Sequence, residues 1–540
     1  MGCRGDEGDT GPVGPEGPAG PSVELDSNLS TMDKAMVGVG GEVPLQAMNR
    51  FQIVAKGGRG LVLQGTTPRD SAVEVSTFDV TVSYDMENDN IHLKYERDYG
   101  FGPVPELAYN EIIQGNVGHI DARDAILNPA DMGEDMPSAR MASSRRQQRL
   151  LNPHVLLKEI MADSSIASEA GFGFHDGSIH ELLNIVDPVA PLAVWVNART
   201  GLISKLTTRE NDPLLRDSEI EVHYVGWKVY DEDVMFPADV FIVKNGQVLH
   251  RERRTSIEVN PTFAATMFAF PTGADPMFVD ADAALGQKNH QFHQMFVALG
   301  IPLDQQQIVV TPHQFQDGGT DTGIFHLQGG THHSLAIAQE NGVIIAEAPL
   351  DAARSAAILS WVDENIGKPV THVIATHHHI DHSAGLRAFV AAGATIVVQQ
   401  NSAAFFREVF RAPSTILPDT QAMAPKNPVI TAVAEGGSLD FDDTATTDRN
   451  DVEVYHIATD HSNDMLIVHV PRISAVFESD LWNPEPTAMG GGNSLSKASA
   501  TQLRQGIEDN ITPTPTDLIG GHGLVGRGTF ADLAAFVDAP

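Results

Sequence analysis

The chain reads Thr376-His377-His378-His379-Ile380-Asp381-His382 at the point that decides its fold. This stretch has the pattern H-x-H-x-D-H. Imidazoles and a carboxylate packed this closely are costly to hold together unless a cation binds them. Nitrogen and oxygen ligands of this kind suit zinc, and less exclusively iron or manganese. A polar loop of surface histidines is the alternative interpretation.

The surroundings of the motif place it on a strand-to-helix turn. A predicted buried strand at 369–375 precedes it, and a predicted helix begins at Ser383. In an extended segment alternate side chains share one face, so His377 and His379 can hold one ion. Asp381 and His382 lie past the turn and can reach a second ion. By the same alternation His378 faces away, which favours a supporting or packing role.

Three further candidate ligands follow apolar runs downstream. His461 follows the alternating segment 451–459, Asp480 follows the short apolar strand 473–477, and His522 follows 516–521. Taken singly, each histidine would more often be structural, and the aspartate a helix cap. As an ordered set at strand ends, they indicate a two-metal site.

With these residues, the chain over 285–540 resembles the metallo-β-lactamase superfamily. The resemblance implies an α+β fold, an αββα sandwich with a binuclear metal site at the edge of its two sheets. It implies two zinc ions, with iron or manganese possible. Carried over by position, the first metal's ligands are His377, His379 and His461, the second metal's are Asp381, His382 and His522, and Asp480 bridges both.

The chain departs from the family pattern at the first motif. The family carries an Asp after an early strand, whereas here the strand 342–346 runs into Glu347, with Asp351 four residues later. Either carboxylate could support the histidine turn from behind the ligands.

The bridging acid narrows the predicted chemistry. An Asp at this point resembles glyoxalase II, acyl-homoserine lactonases and phosphodiesterases, whereas antibiotic-cleaving members carry Cys or Ser nearby. The single cysteine of the chain is Cys3, so β-lactam hydrolysis is not expected. Lactonases of this group often have a Tyr shortly after the Asp, where this chain has Trp482.

We therefore predict a metal-dependent hydrolase that uses a metal-bridging hydroxide, formed because two cations lower the pKa of a shared water to roughly 7. Asp381 is the predicted catalytic residue, orienting the hydroxide as well as ligating. Carboxylic esters or lactones are the expected small-molecule substrates. Phosphoester, phosphotriester or sulfate-ester hydrolysis is the alternative, and a non-catalytic lipid-binding lipoprotein is a further one.

Substrate contacts are predicted at three residues. His332 and His333 lie in a hairpin-like segment between two early strands and could donate to an oxyanion, or be solvated turn residues. Trp482 follows the bridging Asp and could form an apolar wall, or pack the domain interior.

Residues 40–280 predict a separate, antiparallel β-rich domain. Segments 78–84 and 91–96 alternate as strands. The turns and strands at 200–202, 234–237 and 257–260 resemble bacterial lipoprotein-carrier domains, which are curved sheets closed by a helix. Segment 140–161 predicts one helix, with Arg145, Arg146 and Arg149 expected on a solvated face.

Residues 1–30 predict a collagen-like tether. Glycine recurs at every third residue from Gly2 to Gly20, with Pro12, Pro15 and Pro18 among the intervening residues. An extended spacer is expected rather than a trimerising stalk. Cys3 resembles a lipoprotein processing site, so we expect lipidation, a membrane tether and a bacterial protein exported to the periplasm or the cell surface.

Composition excludes several classes of protein. The net charge of −36 over 540 residues argues against nucleic-acid binding, because phosphates would be repelled. No apolar run is long enough to span a bilayer. A single cysteine excludes an intrachain disulfide framework. The oligomeric state stays open.

Overall fold

The computed structural model describes residues 25–26, 28–99, 106–125, 133–231, 233–278, 283–296, 311–329, 332–483, 496–523 and 526–539. The predicted collagen-like repeat and Cys3 lie outside these residues. Within the described part of the chain, no helix combines the length and the apolar character needed to cross a membrane.

The N-terminal half is built on one large antiparallel sheet. Among the described residues thirteen strands form it, in the order β6-β5-β4-β3-β2-β1-β15-β14-β11-β10-β9-β8-β7, and β12 pairs with β13 beside it. Buried and exposed residues alternate along β2 and β3, which contain the predicted strands 78–84 and 91–96. The strands are β1 (Arg50–Leu61), β2 (Val73–Asp85), β3 (Asn90–Asp98), β4 (Glu106–Gln114), β5 (Val117–Asp121), β6 (Glu134–Asp135), β7 (Ala167–His175), β8 (Ser178–Ile185), β9 (Leu192–Asn197), β10 (Ile203–Asp212), β11 (Arg216–Val225), β12 (Lys228–Asp231), β13 (Val234–Phe236), β14 (Asp239–Lys244) and β15 (Gln247–Val259).

The first four helices of this half pack against the sheet and contribute to one apolar cluster with it, whereas Phe292 and Met295 of the last one belong to the apolar cluster of the C-terminal half. The predicted helix 140–161 is two helices, because Pro153 cannot donate the hydrogen bond that would continue the first one. The helices are α1 (Thr31–Gly38), α2 (Glu42–Ala47), α3 (Ser138–Leu151), α4 (Pro153–Ala162), α5 (Ala283–Lys288) and α6 (His290–Phe296).

The expected solvated basic face is wrong. Arg146 is 4% exposed and its side chain lies 2.7 Å from Glu210 and 3.1 Å from Asp187. Arg149 pairs with Glu159 at 2.8 Å. Arg146 thus faces buried carboxylates that compensate its charge. Glu159, by contrast, lies on α4, and Arg145 is partly exposed and pairs with Asp89 at 2.7 Å.

The C-terminal half contains two more sheets. Strands β18 and β19 are antiparallel, whereas β19, β20, β21 and β22 run parallel, and β26 and β27 form a second parallel pair. The first sheet comprises β16 (Thr311–Asp317), β17 (Thr320–Gln328), β18 (Ser334–Gln339), β19 (Gly342–Ala346), β20 (Val370–Ile374), β21 (Thr395–Gln399) and β22 (Val429–Val433). The second comprises β23 (Ser438–Phe441), β24 (Val452–His456), β25 (Leu466–Val470), β26 (Ala475–Glu478), β27 (Asp517–Gly520) and β28 (Arg527–Thr529).

These two sheets bury one apolar cluster between them, to which Ile344 and Val397 contribute from the first sheet and Val468 and Phe477 from the second. Helices cover the outer faces, α7, α9 and α10 on the first sheet and α12 and α13 on the second. The helices are α7 (Ala352–Asn365), α8 (Ile380–Ser383), α9 (Leu386–Ala392), α10 (Ala403–Val409), α11 (Thr420–Met423), α12 (Lys497–Asn510) and α13 (Phe530–Asp538).

The two halves share part of their core. Leu61, at the end of β1, and the next two residues, Val62 and Leu63, pack in the same apolar cluster as Phe389 of α9. The segment after β1 therefore enters the C-terminal half at the level where its strands end.

Candidate metal centre

The candidate ligands lie just beyond the ends of strands in both C-terminal sheets. His377 follows β20, His461 follows β24, Asp480 follows β26 and His522 follows β27. Because β26 and β27 are parallel, Asp480 and His522 emerge at the same end of the second sheet. The structure thus brings together residues that are up to 145 positions apart, from His377 to His522.

The first group of ligand-type side chains surrounds one carboxylate oxygen. Asp480 Oδ2 lies 3.3 Å from His377 Nε2, 3.1 Å from His461 Nε2 and 4.0 Å from His379 Nδ1. All four residues offer a ligand atom within 4.8 Å of one another. Their donors are three imidazole nitrogens and one carboxylate, a set suited to tetrahedral zinc.

The second group adjoins the first through the same aspartate. Asp480 Oδ2 lies 3.0 Å from His382 Nε2, and Asp480 Oδ1 lies 2.7 Å from His522 Nε2. Asp381 Oδ2 lies 3.4 Å from His382 Nε2. Asp480 therefore contacts histidines of both groups, as a carboxylate shared between two cations would.

His332 also belongs to the second group, with Asp381, His382 and His522. Its side chain is buried, and its Nε2 lies 3.4 Å from Asp381 Oδ2. An isolated antiparallel bridge pairs residues 332 and 522, which holds the two rings 4.2 Å apart. The sequence marked His332 as a substrate contact, whereas the structure places it among ligand-type side chains.

The other predicted substrate contacts lie elsewhere. His333 is buried, its Nε2 lies 2.5 Å from the carbonyl oxygen of Gly523, and its ring stacks on His326. Trp482 is 4% exposed and lies in the apolar cluster under α12 and α13. Both positions are those of packing residues, so neither residue enters the candidate centre.

His378 and Asp351 also lie outside the groups of ligand-type side chains. The Nδ1 of His378 faces Asp464 at 2.8 Å. Asp351 caps α7 by accepting from the backbone N–H of Arg354. Of the two carboxylates considered as supports for the histidine turn, only Glu347 contacts it.

Glu347 sets the protonation of two candidate ligands. Thr376 Oγ1 donates its proton to Glu347 Oε1 at 2.5 Å. The Thr376 hydroxyl oxygen therefore accepts from His377 Nδ1, which lies 3.0 Å away. His382 Nδ1 donates to Glu347 at 3.0 Å. With Nδ1 donating in both rings, the Nε2 atoms of His377 and His382 face Asp480 and are the atoms with which the two rings would bind a cation.

Burial and charge at the centre favour a cation. Burial lowers the pKa of His377 to about 4 and that of His332 to about 3, so both are neutral at pH 7. Burial also opposes the ionised form of Asp480, but His382 and His522 outweigh it and hold its pKa well below the usual range. Neutral imidazoles around buried anionic carboxylates fit a divalent cation.

The charge of His382 gives the same indication. Burial opposes its protonation, yet Asp480, Glu347 and Asp381 hold its pKa well above the usual value. Buried carboxylates thus draw a proton onto this imidazole unless another positive charge is bound. A metal ion would supply that charge and leave Nε2 free to ligate.

The backbone is strained at the centre. Asp480 has φ 61°, Glu347 φ 67° and Leu350 φ 66°, all in the left-handed region that residues other than glycine rarely adopt. Each costs about 1–2 kcal/mol. Such strain concentrates at functional sites, where it aims side chains that an ordinary strand end would point elsewhere.

Two residues of the N-terminal half also contact the centre, and the residue after them contacts the segment that follows His461. Gln64 contacts Asp381, Gly65 contacts His379 and Thr66 contacts Asn463. Sequence reasoning missed them, because a lone Gln-Gly-Thr in a loop carries no metal-binding signal.

A scan against models of known protein families found no match. Similar solved structures include a metallo-β-lactamase from Pontibacter korlensis, with 18% identity, a TM-score of 0.29, and coverage of 43% of this chain and 97% of that chain. Another, from Hirschia baltica, has 14% identity, a TM-score of 0.30 and coverage of 42% and 96%. The FIM-1 metallo-β-lactamase from Pseudomonas aeruginosa, in its mono-zinc form, has 16% identity, a TM-score of 0.29 and coverage of 43% and 95%.

Proposed function

We propose that this protein is a binuclear metal-dependent hydrolase of the metallo-β-lactamase superfamily, acting on carboxylic esters or lactones. The C-terminal half is its catalytic αββα sandwich. The observation that carries the proposal is the position of Asp480, within 3.3 Å of imidazole nitrogens from both groups of ligand-type side chains.

His377, His379 and His461 would hold the first metal, and Asp381, His382 and His522 the second. Zinc suits these donors best, since nitrogen ligands outnumber oxygen ligands. Such a pair of cations supplies an activated water at neutral pH and polarises the bond to be cleaved.

Side chains of the centre position the groups that take part in this reaction. Asp480 contacts both groups and so fixes their positions relative to each other. Glu347 keeps His382, and through Thr376 also His377, in the tautomer that can bind a metal through Nε2. Asp381 Oδ2 faces His382 and His332, so this oxygen is directed into the centre and can accept a proton there.

The preference for ester or lactone substrates rests on the Asp480-bridged site, which suits carbonyl chemistry, although phosphodiesterases that the chain also resembles share this Asp. Phosphoesters, phosphotriesters and sulfate esters are the competing substrates, because the same nucleophile can attack phosphorus or sulfur.

The experiment is a hydrolysis panel on metal-free protein with and without two equivalents of zinc. Aryl esters, lactones, phosphodiesters, phosphotriesters and sulfate esters are compared at equal concentration. Zinc-dependent turnover with a preference for carbonyl substrates supports the proposal. A preference for phosphorus or sulfur substrates contradicts the substrate class, and the absence of zinc-dependent turnover on every substrate contradicts the enzyme.

We also propose that Cys3 is lipidated in the cell, so that residues 1–30 tether an exported enzyme to a membrane. The mass of the N-terminal peptide of the native protein, taken from the cells that make it, tests this. An acylated Cys3 is expected, and a free thiol would refute it.

A further inference from the structure

The loop between β1 and β2, residues 62–72, reaches from the N-terminal half into the metal centre. The Nε2 of Gln64 donates to Asp381 Oδ1 at 2.8 Å, although 317 positions separate the two residues. Asp381 Oδ2 is the oxygen that faces His332 and His382. Gln64 therefore binds the other oxygen of Asp381, not the one that faces His332 and His382.

The next residue, Gly65, contacts His379 of the first group of ligand-type side chains. His379 Nε2 lies 3.0 Å from the carbonyl oxygen of Gly65, which can only accept, so Nε2 carries the proton. The Nδ1 of His379 is then unprotonated, and it faces His461 Nε2 at 3.1 Å. One loop thus contacts a candidate ligand of each metal.

The loop is held firmly in place. Asp70 accepts from the backbone N–H of Thr67 at 2.8 Å and from its hydroxyl at 2.7 Å. The carbonyl of Thr66 accepts from the backbone N–H of Asn463 at 2.9 Å. On the other side, Leu63 is buried in the apolar cluster of the C-terminal half and turns the chain with φ 57°.

From these contacts we infer that Gln64 is a positioning residue of the metal centre, which fixes the orientation of Asp381 toward the second metal. This inference rests on the proposed function. A ligating carboxylate with one oxygen bound by a fixed amide loses rotational freedom before the metal arrives, which raises metal affinity. The N-terminal sheet thereby contributes to the active site.

The test compares Gln64→Ala and Gln64→Leu with Gln52→Ala in the full-length protein. Gln52 lies on β1 and makes a similar amide hydrogen bond, to Ser83 Oγ at 2.9 Å. Metal-free protein is titrated with Co²⁺ in competition with a chromogenic chelator, and the visible spectrum is recorded after each equivalent. We expect both Gln64 variants to bind the second equivalent about 10- to 100-fold more weakly and the first within about twofold, with Gln52→Ala unchanged.

Thermal unfolding of the metal-free proteins separates positioning from a structural role. Without metal the Gln64 variants should unfold at the wild-type temperature. Gln64→Leu is the more stringent comparison, because Leu keeps most of the side-chain volume. Wild-type affinity and spectrum for both equivalents in the Gln64 variants would overturn the inference. A loss of stability of the metal-free Gln64 variants as large as their loss of metal-binding free energy would also overturn it. A wild-type protein that binds no second equivalent would instead contradict the proposed function, and this inference with it.

Discussion

Glu347 faces His382 with both carboxylate oxygens, at 3.0 and 3.1 Å from Nδ1. Glu347 follows β19, and its left-handed backbone turns its side chain under the histidine motif. Through Thr376 the same carboxylate also fixes the tautomer of His377. One buried acid thus contacts one histidine of each group of ligand-type side chains, directly at His382 and through Thr376 at His377.

Replacing Glu347 by Gln should lower kcat/KM about 10- to 100-fold, the usual effect of losing a support behind a metal ligand. The amide keeps the size of the side chain, but its NH2 group cannot accept from His382 as the second carboxylate oxygen does at 3.1 Å, and it carries no negative charge. Steady-state kinetics and zinc content measure the effect. Glu508→Gln, on the exposed side of α12, is the control. Unchanged kinetics in Glu347→Gln would show that the tautomers are fixed by other groups.

Asp480→Asn should abolish binding of at least one metal and lower turnover more than about 100-fold, because a direct ligand should matter more than its outer supports. The neutral amide cannot balance two cations as the carboxylate does. Metal analysis by mass spectrometry gives the stoichiometry. Asp460→Asn, an exposed residue beside His461, should keep both metals. Two metals bound in Asp480→Asn would contradict the shared role.

His332→Ala should weaken the second metal if His332 is a ligand. In the Co²⁺ protein, each ligating imidazole gives a strongly shifted N–H proton resonance, and one such resonance should disappear in the variant. His372→Ala, in the middle of β20 and outside the groups of ligand-type side chains, should retain the wild-type set. An unaltered set of shifted resonances in His332→Ala would leave His332 as a hydrogen-bond partner of Asp381.

Glu210 gives a stability prediction for the N-terminal half. Burial opposes its ionisation, but His290 and Arg146 outweigh it and lower its pKa from 4.5 to about 2. A depressed carboxyl pKa stabilises the folded state fully above pH 4.5, and this stabilisation is lost as the pH falls toward 2. The shift corresponds to about 3 kcal/mol at pH 7.

Glu210→Gln removes this ionisation and should lower the free energy of unfolding by about that amount at pH 7. Urea unfolding of the metal-free wild-type and variant proteins at pH 7, 4 and 3 should show a difference that narrows with acidity. The exposed residue Glu408 provides the control variant Glu408→Gln. A difference that does not change with pH would show that the loss comes from packing rather than charge.

The sequence predicted the candidate ligands because each lies where a recognisable apolar strand ends, so spacing along the chain indicates position in space. His332 could not be recognised as one of them, since its place depends on the bridge to residue 522. Gln64 could not be recognised either, since its place depends on a contact with Asp381, 317 positions further along the chain. The buried state of Arg146 was missed because a helix sequence reveals its charges but not the carboxylates of the sheet that it will face.

The contacts of the β1–β2 loop differ in whether they depend on the identity of the residue that makes them. The carbonyl groups of Gly65 and Thr66 are common to every amino acid, so those two hydrogen bonds depend on the length and path of the loop. The contact of Gln64 depends on its side chain. In related chains, a loop of the same length with other residues would therefore keep the hydrogen bond between the backbone carbonyl and His379. The residue at position 64 would show whether the hydrogen bond to Asp381 is kept.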